Sequence, residues 1–117
     1  MQYLLMAYLR ENEWPTMTKE QQERGMAAYA AYGEALKKAG ALEGSNRLRP
    51  TSGATTVRVA DGKSQVLDGP YAETKEQLAG YFLIDAPDLD NAIHWASRCP
   101  AASHGIVEVR PIWTMQA

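Results

Sequence analysis

The segment Tyr3-Leu4-Leu5-Met6-Ala7-Tyr8-Leu9 decides the fold, because every one of its side chains is apolar or aromatic. Side chains alternate between the two faces of a strand, so this strand would be apolar on both faces. Residues 78–84, with the sequence LAGYFLI, have the same character. Both segments are too short to cross a bilayer as helices. They predict two strands that are buried on both sides.

Two helices are predicted from capping signals and apolar spacing. Thr18-Lys19-Glu20-Gln21 has the form of a capping box, and no proline follows it before Ala39. Spacings of three and four residues give this helix an apolar face at Met26, Tyr29, Gly33 and Leu36. The second helix begins at Asp88 as N-cap and is ended by Pro100. Its predicted buried stripe consists of Leu89, Ala92, Ile93 and Ala96.

Four further strands are predicted, at residues 42–48, 54–60, 64–67 and 106–113. Asp61-Gly62 separates the second of these from the third and is typical of a tight β-hairpin turn. The order is then strand, long helix, strand, hairpin, strand, helix, strand. This order predicts a single domain over residues 1–117, an α+β sandwich of the ferredoxin-like type with both helices on one face of the sheet.

The apolar pattern also predicts a homodimer. One layer of helices covers only one face of the sheet, whereas the strands at 3–9 and 78–84 are apolar on both faces. A second copy of the sheet would cover the remaining face and close a dimeric α+β barrel. Glu108 and Arg110 alternate with Val107 and Val109, so both charged side chains would point into the face between the two sheets.

Charged side chains in such a place need partners, because an unpaired buried charge is costly. Glu108 and Arg110 can satisfy one another as an ion pair at the dimer interface. Alternatively, they can form a polar pocket for a small anionic or polar molecule, which Arg58 on the hairpin would join. Both interpretations are compatible with the sequence.

Composition excludes several classes of function. The 117 residues carry a net charge of −2, with 45% hydrophobic and 22% charged residues, so no basic surface for nucleic acid is expected. No membrane segment or signal peptide is expected either. The single cysteine, Cys99, is compatible with a cytoplasmic location. His94, Cys99 and His104 do not have a zinc-site spacing, and no phosphate-binding glycine motif occurs, so neither a metal nor a cofactor is expected.

The segment Asp68-Gly69-Pro70-Tyr71-Ala72-Glu73-Thr74-Lys75-Glu76 closely resembles the signature of the DGPF group within the YCII-related families, with Tyr71 where phenylalanine is usual. GYFLI at 80–84, WASRCP at 95–100 and VEVRPI at 107–112 agree in the same order. The resemblance covers nearly the whole chain. It implies a dimeric ferredoxin-like α+β barrel, in agreement with the strand pattern.

The resemblance also suggests where a site would lie. YCII-like relatives are suggested to be enzymes because a histidine on the first helix and an aspartate on a later loop face a shared cleft. The matching positions here are Tyr29 and Asp68, so a tyrosine stands in place of the histidine. Pro70 has no amide hydrogen to bond the Asp68 carboxylate, which is therefore either a pin for the loop or free for a ligand.

Two functions follow as hypotheses. In the first, the protein is a cofactor-free enzyme or binding protein for a small polar metabolite in a cleft near the dimer interface. Asp68 would be base or hydrogen-bond acceptor and Tyr29 the donor, and the ligand would be held by Arg58, Arg110, Glu108 and Tyr71. In the alternative, it is a non-enzymatic regulatory or interaction protein linked to an alternative sigma factor, since DGPF members are often encoded beside such factors. Trp14 and its loop would then be the protein-binding patch.

Overall fold

A computed structural model describes residues 1–114 and contains one four-stranded antiparallel sheet, one separate hairpin and three helices. The strands are β1 (Gln2–Leu9), β2 (Leu42–Arg47), β3 (Thr55–Ala60), β4 (Lys63–Asp68), β5 (Gln77–Asp85) and β6 (Ile106–Pro111). The helices are α1 (Lys19–Lys38), α2 (Leu89–Arg98) and the short α3 (Ala101–His104). The sheet has the order β2-β5-β1-β6, and β3 pairs only with β4. The predicted ferredoxin-like arrangement is confirmed, with the hairpin inserted between β2 and β5.

Both long helices begin where their capping residues predict. In α1, the amide of Gln21 donates to the Thr18 hydroxyl at 3.1 Å, and the amide of Thr18 donates to the Gln21 side chain at 2.9 Å. In α2, the amide of Asn91 donates to the Asp88 carboxylate at 2.9 Å. Each bond satisfies a backbone amide that has no partner within its helix.

The core lies between the helices and one face of the sheet. Tyr3, Leu5 and Ala7 alternate along β1 and are almost fully buried, as is Ile84, which lies opposite Tyr3 on β5. The helices contribute Tyr32, Leu36, Ala92 and Ala96 to the same cluster. The intervening residues of β1 point to the other face of the sheet.

Three details of the sequence prediction are wrong. Met26 on α1 is exposed, and so are Leu89 and Ile93 on α2. In α2 only Ala92 and Ala96 are fully buried, and Trp95 packs against the core beside them, so the buried stripe differs from the predicted one. The last strand ends at Pro111 rather than 113, and α3 follows Pro100 where no helix was predicted.

The face of the sheet opposite the helices has no cover in the single chain. The strand register places Leu4, Met6, Leu83, Glu108 and Arg110 on this open face. The aliphatic side chains of this set are half-buried rather than buried, as expected of a face that is packed only by its neighbours within the sheet. No helix within residues 1–114 is long and apolar enough to span a membrane.

Gly105, between α3 and β6, is required by a close backbone approach. A Cβ atom at this position would overlap the carbonyl oxygen of Tyr8 on β1.

We expect Gly105→Ala to destabilise the protein by roughly 1–3 kcal/mol or more, because β1 and β6 would have to separate. The matched control is Gly33→Ala on α1, where a Cβ would meet no atom within 4 Å. That substitution should stabilise the helix by roughly 0.5–1 kcal/mol. Thermal unfolding of both variants tests the close approach, and equal stabilities would contradict it.

Candidate functional site

A pocket of about 340 Å³ lies where the β3–β4 hairpin meets the loop that follows it. Strand positions Thr56, Arg58, Gln65 and Leu67 line the pocket, together with Asp68 at the end of β4 and Pro70 and Tyr71 from the loop. We call this the hairpin pocket. Three of its residues, Arg58, Asp68 and Tyr71, are among the site residues predicted from sequence.

The hairpin register explains why these residues meet. The turn at Asp61-Gly62, where both residues have positive φ, pairs Arg58 with Gln65 across the two strands. Thr56 lies opposite Leu67 on the same face of the hairpin, since side chains two residues apart point the same way. The turn therefore determines four of the seven residues that line the pocket.

Two hydrogen bonds fix the start of the loop against β3. The amide of Gly69 donates to the carbonyl of Ala54 at 2.7 Å, and the Thr56 hydroxyl donates to the carbonyl of Gly69 at 2.8 Å. Gly69 has a φ of +104°, a conformation that glycine adopts easily. The loop is thus held by backbone groups and by Thr56, and the Asp68 carboxylate is not used as its pin.

The charges in the hairpin pocket are free to bind a ligand. Within residues 1–114, neither the Arg58 guanidinium nor the Asp68 carboxylate forms an ion pair or a side-chain hydrogen bond. Gln65 adds an amide that can donate or accept, and Leu67 and Pro70 add apolar surface. The pocket can therefore hold a small molecule with an anionic or carbonyl oxygen at Arg58 and a hydroxyl group at Asp68.

A second pocket, of about 400 Å³, lies at the other end of the same loop. It is lined by Tyr8, Thr74, Lys75, Glu76, Ile106 and Glu108. Glu108 forms an ion pair with Arg110 at 2.5 Å, so the predicted Glu–Arg pair exists on the open face of the sheet. Arg58 lies on the hairpin and does not join them. Glu108 and Arg110 are therefore less available to a ligand than the unpaired charges of the hairpin pocket.

Tyr29 lies apart from both pockets, against the core on the helix-covered face of the sheet. Burial raises the pKa of its phenol to about 12, the neighbouring Cys99 adds to the increase, and the Arg47 guanidinium opposes it. Tyr32, one turn away, donates from its hydroxyl to the carbonyl of Trp95 at 2.7 Å. The single chain thus does not bring Tyr29 and Asp68 together, and their joint catalytic role stays a prediction.

Trp14 is not the exposed patch that was expected of an interaction protein. Its ring is half-buried and packs over α1 at Gly25, and the Arg47 guanidinium carbon lies 5.0 Å from the ring centroid. Its carbonyl accepts a hydrogen bond from the Gln22 side chain at 2.8 Å. Trp14 therefore fastens the loop after β1 to α1 and β2. A link to an alternative sigma factor stays a prediction, and Trp14 does not provide the exposed binding surface that was expected for it.

Sequence reasoning missed four members of the hairpin pocket, which are Pro70 and the strand residues Thr56, Gln65 and Leu67. The signal for the three strand residues was present, because the turn at Asp61-Gly62 fixes which residues share the face of Arg58. Within the part of the chain that the structure describes, no three His, Cys, Asp or Glu side chains are grouped to hold a metal ion.

A protein-family model matches almost the entire chain. The model of the YCII-related domain matches residues 1–116. The chain belongs to the YCII-related family. An uncharacterized protein of Rhizobium meliloti (strain 1021) is 41% identical over 114 residues, covering 96% of this chain and 92% of the relative. Membership of the DGPF group within the family stays a prediction.

A solved structure supports the fold. The YCII-related chain is similar to the 5-chloro-2-hydroxyhydroquinone dehydrochlorinase TftG from Burkholderia phenoliruptrix AC1100, in complex with 2,5-dihydroxybenzoquinone. The TM-score is 0.56 at 15% identity, and the match covers 99% of this chain and 96% of TftG. The TM-score shows a shared α+β fold, and the low sequence identity shows nothing about the reaction.

The shifted tyrosine predicts a loss of stability at alkaline pH. The folded state holds the Tyr29 proton up to a pKa of about 12, whereas the unfolded value is 10.0. Above pH 10 the unfolded chain therefore loses this proton first, and the free energy of unfolding falls until about pH 12. Tyr29→Phe should make that fall less steep in denaturant titrations between pH 9 and 12. Tyr71→Phe, which alters a side chain that is 81% exposed, is the control. Identical slopes for all three proteins would contradict the burial of the phenol.

Proposed function

We propose that this YCII-related protein binds a small, oxygen-rich organic molecule in the hairpin pocket and acts on it without a cofactor. The observation that carries the proposal is the convergence of two unpaired opposite charges, Arg58 and Asp68, on one concavity beside the Tyr71 ring. Polar groups that converge in a pocket with apolar walls are the usual mark of a small-molecule site. The volume of about 340 Å³ is at the small end of the range for such sites.

Each side chain has a role that follows from its chemistry. The Arg58 guanidinium presents a planar set of donors that suits a carboxylate or an enolate oxygen. The Asp68 carboxylate accepts a hydrogen bond from a ligand hydroxyl and can remove its proton as a general base. Tyr71 can cover a flat ring and hydrogen-bond through its hydroxyl. A hydroxylated ring that also carries an anionic or carbonyl oxygen would use all three.

The similarity to TftG supports this ligand class. TftG is named as an enzyme that acts on a chlorinated hydroxyhydroquinone, and its structure holds 2,5-dihydroxybenzoquinone. A hydroxylated six-membered ring is also the kind of molecule that suits the donors, acceptors and size of the hairpin pocket. We therefore propose hydroxylated quinones or phenols as the ligand class.

We also propose that two copies stack through the open faces of their sheets to form a dimeric α+β barrel. Leu4, Met6 and Leu83 on this face are apolar and lie beside the Glu108–Arg110 pair. Burial of such aliphatic side chains stabilises a protein by roughly 1.5–3 kcal/mol each when it is complete, and a second sheet would supply the cover. Two ion pairs related by a two-fold axis would then lie within the barrel.

Stacking predicts a homodimer in solution. Light scattering at micromolar concentration should give twice the monomer mass of 12.9 kDa. Leu83→Asp should shift the protein toward monomer, because an unpaired carboxylate would be buried between the sheets. Ile93→Asp, on the exposed face of α2, is the control and should remain dimeric. A monomeric wild-type protein would contradict the stacked barrel.

Binding at the hairpin pocket is tested by calorimetry with 2,5-dihydroxybenzoquinone and a small series of hydroxylated benzoates. We expect Arg58→Ala and Asp68→Asn each to weaken binding by roughly tenfold to a hundredfold, since a hydrogen bond to a charged group contributes about 1.5–3 kcal/mol. Arg24→Ala, on the exposed surface of α1, is the matched control. Unchanged affinity in both pocket variants, or no binding by the wild-type protein, would contradict the proposed site.

A further inference from the structure

The β3–β4 hairpin is a two-stranded sheet with no cover on either face. Its strands pair only with each other, and it leaves the body of the protein between β2 and β5. Two-stranded hairpins without a packing surface are marginally stable in water at best. Something outside the single chain must therefore stabilise these strands if the hairpin pocket is to keep its shape.

The side of the hairpin that faces away from the pocket carries three exposed valines, together with Thr55 and Ser64, and reaches Asp68 at the end of β4. Val57, Val59 and Val66 share this side by the strand register, and their exposed fractions are 60%, 66% and 61%. We call it the valine face. Thr56, Arg58 and Gln65 alternate with these valines and point into the pocket. The valine face can thus be covered without closing the pocket.

The dimensions of the chain show that it is flat and extended. The radius of gyration is 16.3 Å and the extents are 50 × 48 × 19 Å. A compact chain of this length has a radius of gyration of about 13 Å. The molecule is therefore a plate rather than a sphere, and a second plate can lie against it over a large area.

The area required by a stable dimer indicates what covers the valine face. Four strands at a spacing of about 4.8 Å give the open sheet face a projected area of roughly 400–500 Å². A standard interface buries about 800 Å² on each partner. The sheet face alone falls short, and the hairpin adds roughly 200 Å². Both surfaces present aliphatic side chains from β-strands, the three valines on the hairpin and Leu4, Met6 and Leu83 on the open face.

We infer that the valine face of the hairpin docks on a second copy of this chain, and that this contact holds the hairpin pocket in its binding shape. The inference rests on the proposed function for its second half. Docking orders the strands that carry Arg58 and Gln65, so the dimer is the state that binds ligand. Because binding and association are then coupled, a ligand that prefers the dimer also tightens the dimer by the same factor.

The test is the double variant Val57→Thr/Val66→Thr, which keeps the branched side chains that favour strands. We expect its dimer dissociation constant, measured by sedimentation velocity, to rise at least roughly tenfold, because two apolar side chains would no longer be buried favourably. Met26→Gln is the matched control, since Met26 is 57% exposed on the outer side of α1. It should leave association unchanged.

Hydrogen exchange provides a readout that does not depend on a ligand. Amides of residues 57–67 in the wild-type protein should become more protected as its concentration rises through the dimer dissociation constant. Equal exchange in monomer and dimer, or equal association of wild type and double variant, would overturn the inference.

The coupling to ligand is measured with 2,5-dihydroxybenzoquinone. Dilute double variant should bind it more weakly than wild type and regain the wild-type affinity when concentrated enough to dimerise. Equal affinity of monomer and dimer would overturn the coupling while leaving the proposed function intact. Failure of the probe to bind wild type at any concentration would contradict the proposed function, and association and exchange would still decide the docking of the valine face.

Discussion

The pairing of β1 along both of its edges is the constraint on which the rest of the structure depends. β1 hydrogen-bonds to β5 on one side and to β6 on the other, although both partners come from the second half of the chain. Each neighbouring strand must therefore return antiparallel to β1 after a helix or a hairpin. The helices that make these returns cover the same face and bury Tyr3, Leu5 and Ala7. The helices thereby cover one face of the sheet, and the opposite face remains available for association with another chain.

Folding and chemistry are assigned to different parts of the molecule. The sheet and helices carry the buried apolar residues, and the ion pairs among them are exposed and contribute little to stability. The hairpin and the loop after it carry the unpaired charges of Arg58 and Asp68, as well as the Tyr71 ring. Placing a site on an inserted segment that is held by a rigid scaffold is common, because the segment can vary without loss of the core.

The features that could be predicted from the sequence are those determined by neighbouring residues. The helix N-caps, the Asp61-Gly62 hairpin and the apolar strands each depend on a few adjacent side chains, and the element order followed from them. Features set by distant contacts could not be predicted. Ile93 is apolar but exposed, because α2 packs on the core through Ala92, Ala96 and Trp95 instead. Trp14 packs on a helix that lies outside its own segment.

The candidate site likewise combines features that could be predicted from neighbouring residues with features that depend on distant contacts. Asp68, Arg58 and Tyr71 were identified individually, and the hairpin and the loop after it bring them to one pocket. Tyr29 was grouped with them through the resemblance to the family, which gives positions along the chain but not the face of the sheet on which each lies. Gln65 carries no distinctive motif and became visible only through its pairing with Arg58.

The loop at residues 69–76 is attached at one end to the hairpin and at the other end to the central sheet. Its first residues are bonded to the hairpin through Gly69, and Thr74 accepts a hydrogen bond from Gln77, the first residue of β5. This short segment therefore contributes residues to both pockets, to the hairpin pocket at its start and to the second pocket at its end. Replacement of residues near Tyr71 alters the hairpin side, and replacement near Lys75 alters the sheet side. Homologous proteins with this fold can therefore vary the residues of the two pockets separately while the central sheet is unchanged.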